Sequence, residues 1–382
     1  MKARIAVCVL LITVLLDGCN MGETFKAKEV RPGIYMSNNT ADFPFPTSGY
    51  MVYIVGETHG NREAKGVFDV FLHNLYKKAK LRDIILEEDQ AYETEANAYI
   101  HGLSDTLPDG LCLRTDILGQ IREFNVDLPT DKKVTVHLVD VDSSFPVVYK
   151  HLVELHLQLG PAGESIQIPE LSEIQYASSK KLYALVDELR ALSAEKPDTL
   201  NGLDTVKLSL EWYYLGNDME TGTGSKRNFA PIREDIITKN IKYVLSQTND
   251  KPILAFFGAA HGMKTQGDPN PPTKDFKTWA QRLVEDDVSV YSTIIDGVSG
   301  DGYWRGEAFS YQGWMDGFQF KNGTHLASLF NTDPDSGIAY IDAHTDENAE
   351  IRLLPIDVPF GQLYDGMIIF KEFTPMENAC HQ

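Results

Sequence analysis

Met51-Val52-Tyr53-Ile54-Val55 runs straight into Gly56-Glu57-Thr58-His59-Gly60, and Pro252-Ile253-Leu254-Ala255-Phe256-Phe257 runs into Gly258-Ala259-Ala260-His261-Gly262. Each is an unbroken apolar run closed by glycine and histidine. An apolar run without polar alternation reads as a strand covered on both faces, the condition of a parallel sheet. Ligands of such sheets collect beyond the carboxyl ends of the strands. Two histidines at two strand ends, one beside a carboxylate, are therefore expected to share one crevice.

The rest of the chain fits that frame. Strand-like runs recur at Asp83–Leu86, Val134–Val139, Val288–Ile295, Gly337–Ile341 and Gly366–Phe370. Val67, Val70, Phe71 and Leu75 share a helical face between the first two strands, and Leu113–Phe124 is a second helix. Strands alternating with helices predict right-handed crossovers. From Phe145 to Gln247 the strand signal disappears. Helices are expected at Val147–Leu159, Ser172–Leu192, Leu203–Leu215 and Arg233–Leu245, punctuated by Pro161, Gly163, Pro197 and Gly222-Thr223-Gly224. The expected fold class is α/β: a mostly parallel sheet with flanking helices over residues 49–382. A helical insertion at about 145–230 would lie over the strand C-terminal ends.

Composition sets the outer limits. The 382 residues are 43% hydrophobic and 10% aromatic, enough for a large core. A formal charge of −20 repels nucleic acid and anionic lipid headgroups, so neither is an expected partner. Lys2 and Arg4 precede the apolar stretch Ile5–Leu16, which is shorter than the ~20 residues of a membrane span and reads as an export signal. Leu16-Asp17-Gly18-Cys19 resembles a bacterial lipobox, although Asp17 stands where a small or apolar residue is usual. That resemblance implies a signal peptide over residues 1–18, a lipid on Cys19, and attachment to a bacterial membrane facing the periplasm or the cell surface. Residues 19–48, with three prolines between Lys26 and Thr47, read as a tether. Cys112 and Cys380 then remain, paired or free.

The chemistry concentrates at the strand ends. Glu57 and His59 share parity, so in extended backbone they project to one side, where the carboxylate can orient the imidazole as a general base. Gly56 is expected to let the chain turn as the strand ends, and Gly60 to keep the approach to His59 open. Glu63 suits either the start of the next helix or the site. Leu86-Glu87-Glu88-Asp89 places three acids at the second strand end, as a site wall or a solvated turn. His137, inside a strand and followed by Asp140 and Asp142, reads as a satisfied core histidine.

In order along the chain, these residues resemble the erythromycin esterase family and, more distantly, the haem-binding ChaN and Tiki-type proteins. Gly56-Glu57, His59-Gly60 and Arg62-Glu63 resemble the opening motif, and Leu86-Glu87 with Asp89 the second, acidic strand end. Ile121-Arg122-Glu123-Phe124-Asn125 is similar to the helix before the third strand, and Arg233, Glu234 and Asn240 to a later helix. Gly258-Ala259-Ala260-His261 stands at the second histidine, while Asp365-Gly366, Ile368-Ile369 and Thr374-Pro375 resemble the closing strand. The single residue between Glu57 and His59 is one fewer than the esterases commonly have and closer to the ChaN-like branch.

The resemblance implies a metal-independent or weakly metal-linked hydrolase with no required cofactor. His59 would act as general base on water, with Glu57 and Glu87 orienting it. His261 would be an acid or electrostatic partner, and Arg233 would stabilise an oxyanion or a substrate carboxylate. Arg62, Glu63 and Glu88 would contact a small-molecule ester, a lactone included. Two other readings stay open: a ChaN-like haem- or iron-binding lipoprotein without turnover, and a Tiki-like peptidase with a divalent metal on Glu57, His59 and His261. Four weaker signals have plainer explanations. Asp342-Ala343-His344-Thr345-Asp346 is read as a polar strand end, and Asn331, Asp333 and Asp335 as a turn. His151 and His156 do not share a helical face, and Trp212, Tyr213 and Tyr214 read as core.

Overall fold

The computed structural model describes residues 26–173, 179–216, 230–265, 277–304, 307–310, 318–353 and 358–376. The expected signal peptide and Cys19 lie outside the described residues, as do Cys380 and the side chains of Cys112, Trp212, Tyr213 and Tyr214. Among the described residues no helix is long and apolar enough to cross a membrane.

Two short strands, β1 (Lys28–Arg31) and β2 (Ile34–Ser37), come first, followed by β3 (Val52–Glu57), helix α1 (Glu63–Ala79) and β4 (Asp83–Asp89). Helices α2 (Glu93–Ile100) and α3 (Thr115–Asn125) lead to β5 (Thr135–Asp140). A helical stretch follows: α4 (Phe145–Leu159), α5 (Ser179–Leu192), α6 (Pro197–Gly216) and α7 (Ala230–Gln247). After β6 (Ile253–Gly258), α8 (Trp279–Glu285) and β7 (Val290–Gly297) come a hairpin, β8 (Asp301–Trp304) and β9 (Glu307–Ser310), and β10 (Phe318–Gln319). The chain closes with β11 (Ile338–Asp342), β12 (Arg352–Leu353), β13 (Val358–Pro359) and β14 (Gly366–Phe370).

Nine strands form the main sheet in the order β1-β2-β11-β14-β7-β3-β6-β4-β5. From β14 to β5 all neighbours are parallel, while β1, β2 and β11 add an antiparallel flank. The α/β class and the mostly parallel sheet read from the sequence are therefore present. β3 and β6, the two strands that end in the histidine motifs, are direct neighbours near the centre. Both are buried along their whole length, as continuous apolar runs require.

One segment differs from its reading. Residues 26–47 do not behave as a tether, because β2 pairs with β11 and extends the main sheet. Ile34, Met36, Phe43 and Phe45 are buried, and Phe45 packs 4.8 Å from both Phe71 and Tyr340, ring to ring. The prolines hid this: Pro32, Pro44 and Pro46 lie between or beyond the paired residues and remove no ladder bond.

The helical insertion forms a satellite core of its own. Val148, Leu152 and Leu155 of α4 meet Val186 and Leu189 of α5 and Leu203 and Val206 of α6. Its first turn reaches the strand ends, where Ser144 and Val147 border a cleft. α7 returns along β5 and is tied to it by Asn240 Nδ2, which donates to Val139 O at 3.1 Å.

Gly56 serves differently from expectation. It sits inside β3, not at a turn, and a Cβ there would lie 2.6 Å from the Thr293 carbonyl oxygen on β7. The residue is small because two strands approach closely. The turn is made by Gly60, whose φ of +93° lies in the left-handed region. Asn61 follows it, buried, with Oδ1 accepting from Ala64 N at 3.1 Å to cap α1.

Candidate active site

A cavity of about 1060 Å³ opens at the carboxyl ends of β3, β4, β5 and β6, lined by Glu57, His59, Glu87, Arg233 and His261 among others. These are the five residues assigned catalytic parts from the sequence, and the fold brings all five together. Tertiary pairing accounts for this: β6 inserts between β3 and β4, so its end stands between Glu57 and Glu87.

The floor is built from an oriented histidine. His59 Nδ1 donates to Glu57 Oε1 at 3.0 Å. On the ring's far side, Nε2 lies 3.0 Å from the point a Cβ at Gly258 would occupy, and Glu87 Oε2 lies 3.2 Å from the same point. Glycine at 258 thus leaves space that the imidazole and a second carboxylate both use. Glu87 Oε2 is fixed there by Gly258 N, which donates to it at 2.6 Å.

Two arginines hold the acids, Arg114 buried and Arg233 half-buried. Arg114 Nη1 donates to Glu57, and its Nε donates to Glu88 Oε1 at 2.6 Å. Arg233 Nη2 donates to Glu87 Oε1 at 2.5 Å and also to Asp140, whose Oδ1 accepts from Nε at 2.9 Å. Burial opposes ionisation of Glu57, but the Arg114 charge and the hydrogen bonds from His59 and Arg114 outweigh it and hold the carboxyl at about 2. Burial likewise opposes ionisation of Glu87, and hydrogen bonding to His261 with the nearby Arg233 charge overrides it, so that carboxyl sits well below its ordinary range.

Glu88 and Asp89 behave in the opposite way. Burial pushes Glu88 up to about 7, with Asp89 and Glu87 adding to the effect, and Arg114 only partly offsets it. Burial raises Asp89 to about 6 against its hydrogen bonds from Ser143. One cation cannot neutralise both acids it touches: Arg114 and His59 keep Glu57 ionised, and Glu88 retains its proton longest.

His261 is a fixed cation. Nδ1 donates to Glu234, and Nε2 lies 3.3 Å from Glu87 Oε1. Burial disfavours its charge, but Glu234 and Glu87 raise it to about 10. Nε2 also lies 3.3 Å from Arg233 Nη1. With carboxylates on both sides the doubly protonated ring is favoured, so this is a contact between two donors that share Glu87. Of the parts expected for His261, electrostatic partner fits better than acid, since both protons are committed.

Three residues expected to contact substrate divide. Glu88 lines the cleft, whereas Arg62 and Glu63 are not among its lining residues. The left-handed turn at Gly60 carries the chain away, and Glu63 Oε1 instead accepts from Thr374 N at 2.9 Å. The alternative metal set, Glu57, His59 and His261, does not fit a cation. Glu57 already accepts from Arg114 and His59, and both His261 nitrogens face carboxylates. Among the described residues no group of three or more His, Cys, Asp or Glu side chains is placed to hold a metal ion.

The site also uses Arg114, Asp140 and Glu234, to which the sequence pattern assigns no catalytic part. Asp140 was legible as a strand-end acid beside His137. Arg114 gave no signal, because a single arginine among apolar residues is ordinary on a helix. Elsewhere, His137 is satisfied by Asp83 at 3.0 Å. His344 lies between Asp342 at 2.7 Å and Asp365 at 3.2 Å, at the polar end of β11. His151 is buried against Asp142 at 2.7 Å.

No protein-family model and no curated protein matches the sequence. Solved structures do share the fold. A protein from Bacillus cereus superposes with a TM-score of 0.64 at 15% identity, over 93% of this chain and 97% of its own. A succinoglycan biosynthesis protein gives 0.62 at 12% identity, over 85% and 88%. A histidine-to-asparagine mutant of the erythromycin esterase EreC, in its open conformation, gives 0.60 at 12% identity, over 87% and 93%. The chain therefore shares its fold with these three proteins, an erythromycin esterase among them. At these identities the likeness concerns architecture, and the chemistry must be argued from the site.

Proposed function

We propose that this protein is a hydrolase of ester bonds in which His59 activates water. The Glu57–His59 pair carries the reading. An ionised, buried carboxylate fixes the imidazole through Nδ1 and directs Nε2 onto the cleft floor beside Glu87. Arg233 is pinned by Asp140 and Glu87, yet its side chain stays 29% exposed in the cleft, so it presents positive charge to an oxyanion without moving. The substrate class is a small-molecule ester, lactones included, bound between the strand ends and the start of α4. Assays of wild type and His59→Ala on a panel of esters test this. General-base assistance is worth about 10²–10⁴-fold, and the variant should lose that much kcat/KM while keeping its fold. Equal turnover by both proteins would refute the role of His59.

The N-terminal sequence supports a further part of the proposal: export, with a lipid on Cys19 that tethers the enzyme to a bacterial membrane. With a formal charge of −20, attachment would come from acyl chains and not from a basic surface.

A further inference from the structure

We propose that Glu88 is the general acid that protonates the leaving alcohol, a role that rests on the hydrolase reading above. β4 pairs regularly with β5 up to Leu86–Leu138 and resumes at Asp89–Asp140, so β4 carries one extra residue between those pairs. In a regular strand consecutive side chains point to opposite faces. The bulge breaks that alternation, and Glu87, Glu88 and Asp89 all line the same cleft. Glu87 is spent on Gly258, Arg233 and His261. Glu88 accepts from Arg114 Nε through Oε1, and 17% of its side chain remains exposed in the cleft.

The groups around Glu88 set its protonation. Glu87 and Asp89 flank it on β4, Arg114 reaches it from the segment before α3, Glu57 of β3 lies behind that guanidinium, and Tyr92 and Asp140 share the cleft wall. Burial, reinforced by the neighbouring Asp89 and Glu87, outweighs Arg114 and keeps a proton on Glu88 near neutral pH, in line with its rise to about 7. The step balances. His59 takes one proton from water, and the resulting hydroxide adds to the ester carbonyl. The carbon–oxygen bond to the alcohol then breaks, and Glu88 gives that oxygen its proton. The imidazolium proton returns to Glu88 through solvent.

The test compares an alkyl ester, whose leaving group needs a proton, with a nitrophenyl ester, whose leaving group does not. For Glu88→Gln we expect kcat/KM on the alkyl ester to fall about 10²–10⁴-fold and to fall far less on the nitrophenyl ester. The wild-type pH profile gives a second readout without substitution: alkyl-ester turnover should decline as pH rises through about 7, and nitrophenyl-ester turnover should lack that limb. Equal losses on both esters, or none on either, would overturn the role. A wild-type protein that turns over neither ester would instead sink the hydrolase reading itself.

Discussion

Arg114 shows how much one buried side chain can carry. It is 2% exposed and joins Glu57 of β3, which orients His59, to Glu88 of β4 across the end of the intervening β6. Its cation is stabilised by those acids despite burial, and removing it takes away the guanidinium that donates to both. Breaking a buried pair by deleting one partner costs ~3–5 kcal/mol, so Arg114→Ala should lower the urea midpoint by an amount equivalent to that. A shift under 1 kcal/mol would mean water replaces the guanidinium freely. Glu88 gives a pH prediction at the same scale. Its folded pKa is raised to about 7, so its stabilising contribution is complete below the unfolded value of 4.5 and is lost as pH rises to about 7. Glu88→Gln removes that dependence. Its stability relative to wild type should therefore rise between pH 4.5 and 7, measured as paired urea titrations.

At the scale of elements, the bulge in β4 and the pairing of β2 with β11 are the two features that shape the molecule around its site. The bulge turns an alternating strand end into a wall of acids. The pairing covers one edge of β11, leaving the short strand β1 outermost. Ile34 and Met36 are buried there, each worth roughly 1.5–3 kcal/mol of apolar burial. Deleting residues 26–37 should lower the thermal midpoint and promote association by exposing Ile338–Asp342 as an edge, read by calorimetry and light scattering. An unchanged midpoint in the deleted chain would show that these strands lie on the sheet without supporting it.

For the whole molecule, the acidic composition and the N-terminal sequence bear on the proposed membrane attachment. A protein of formal charge −20 gains nothing from anionic lipid headgroups, so in the proposal made above a lipid on Cys19 would supply the attachment. Cys19→Ala should abolish palmitate labelling and move the protein from the membrane to the soluble fraction. Labelling that survives the substitution would rule out this anchor.

The sequence by itself determined the class of fold and the identity of the two histidines. Apolar runs long enough to be buried on both faces dictate parallel strands, and a ligand-bearing strand end needs its polar residues just after the run. The same local patterns recovered Glu57 beside His59, because a two-residue offset at one strand end is short-range information. Only the tertiary structure decided which strands are neighbours. The insertion of β6 between β3 and β4 made Gly258 the shared space between His59 and Glu87. It also decided that residues 26–47 join the sheet, that Arg62 and Glu63 turn away, and that Arg114 holds two acids from different strands. Such facts depend on contacts between residues far apart in the chain, and local periodicity carries no record of them.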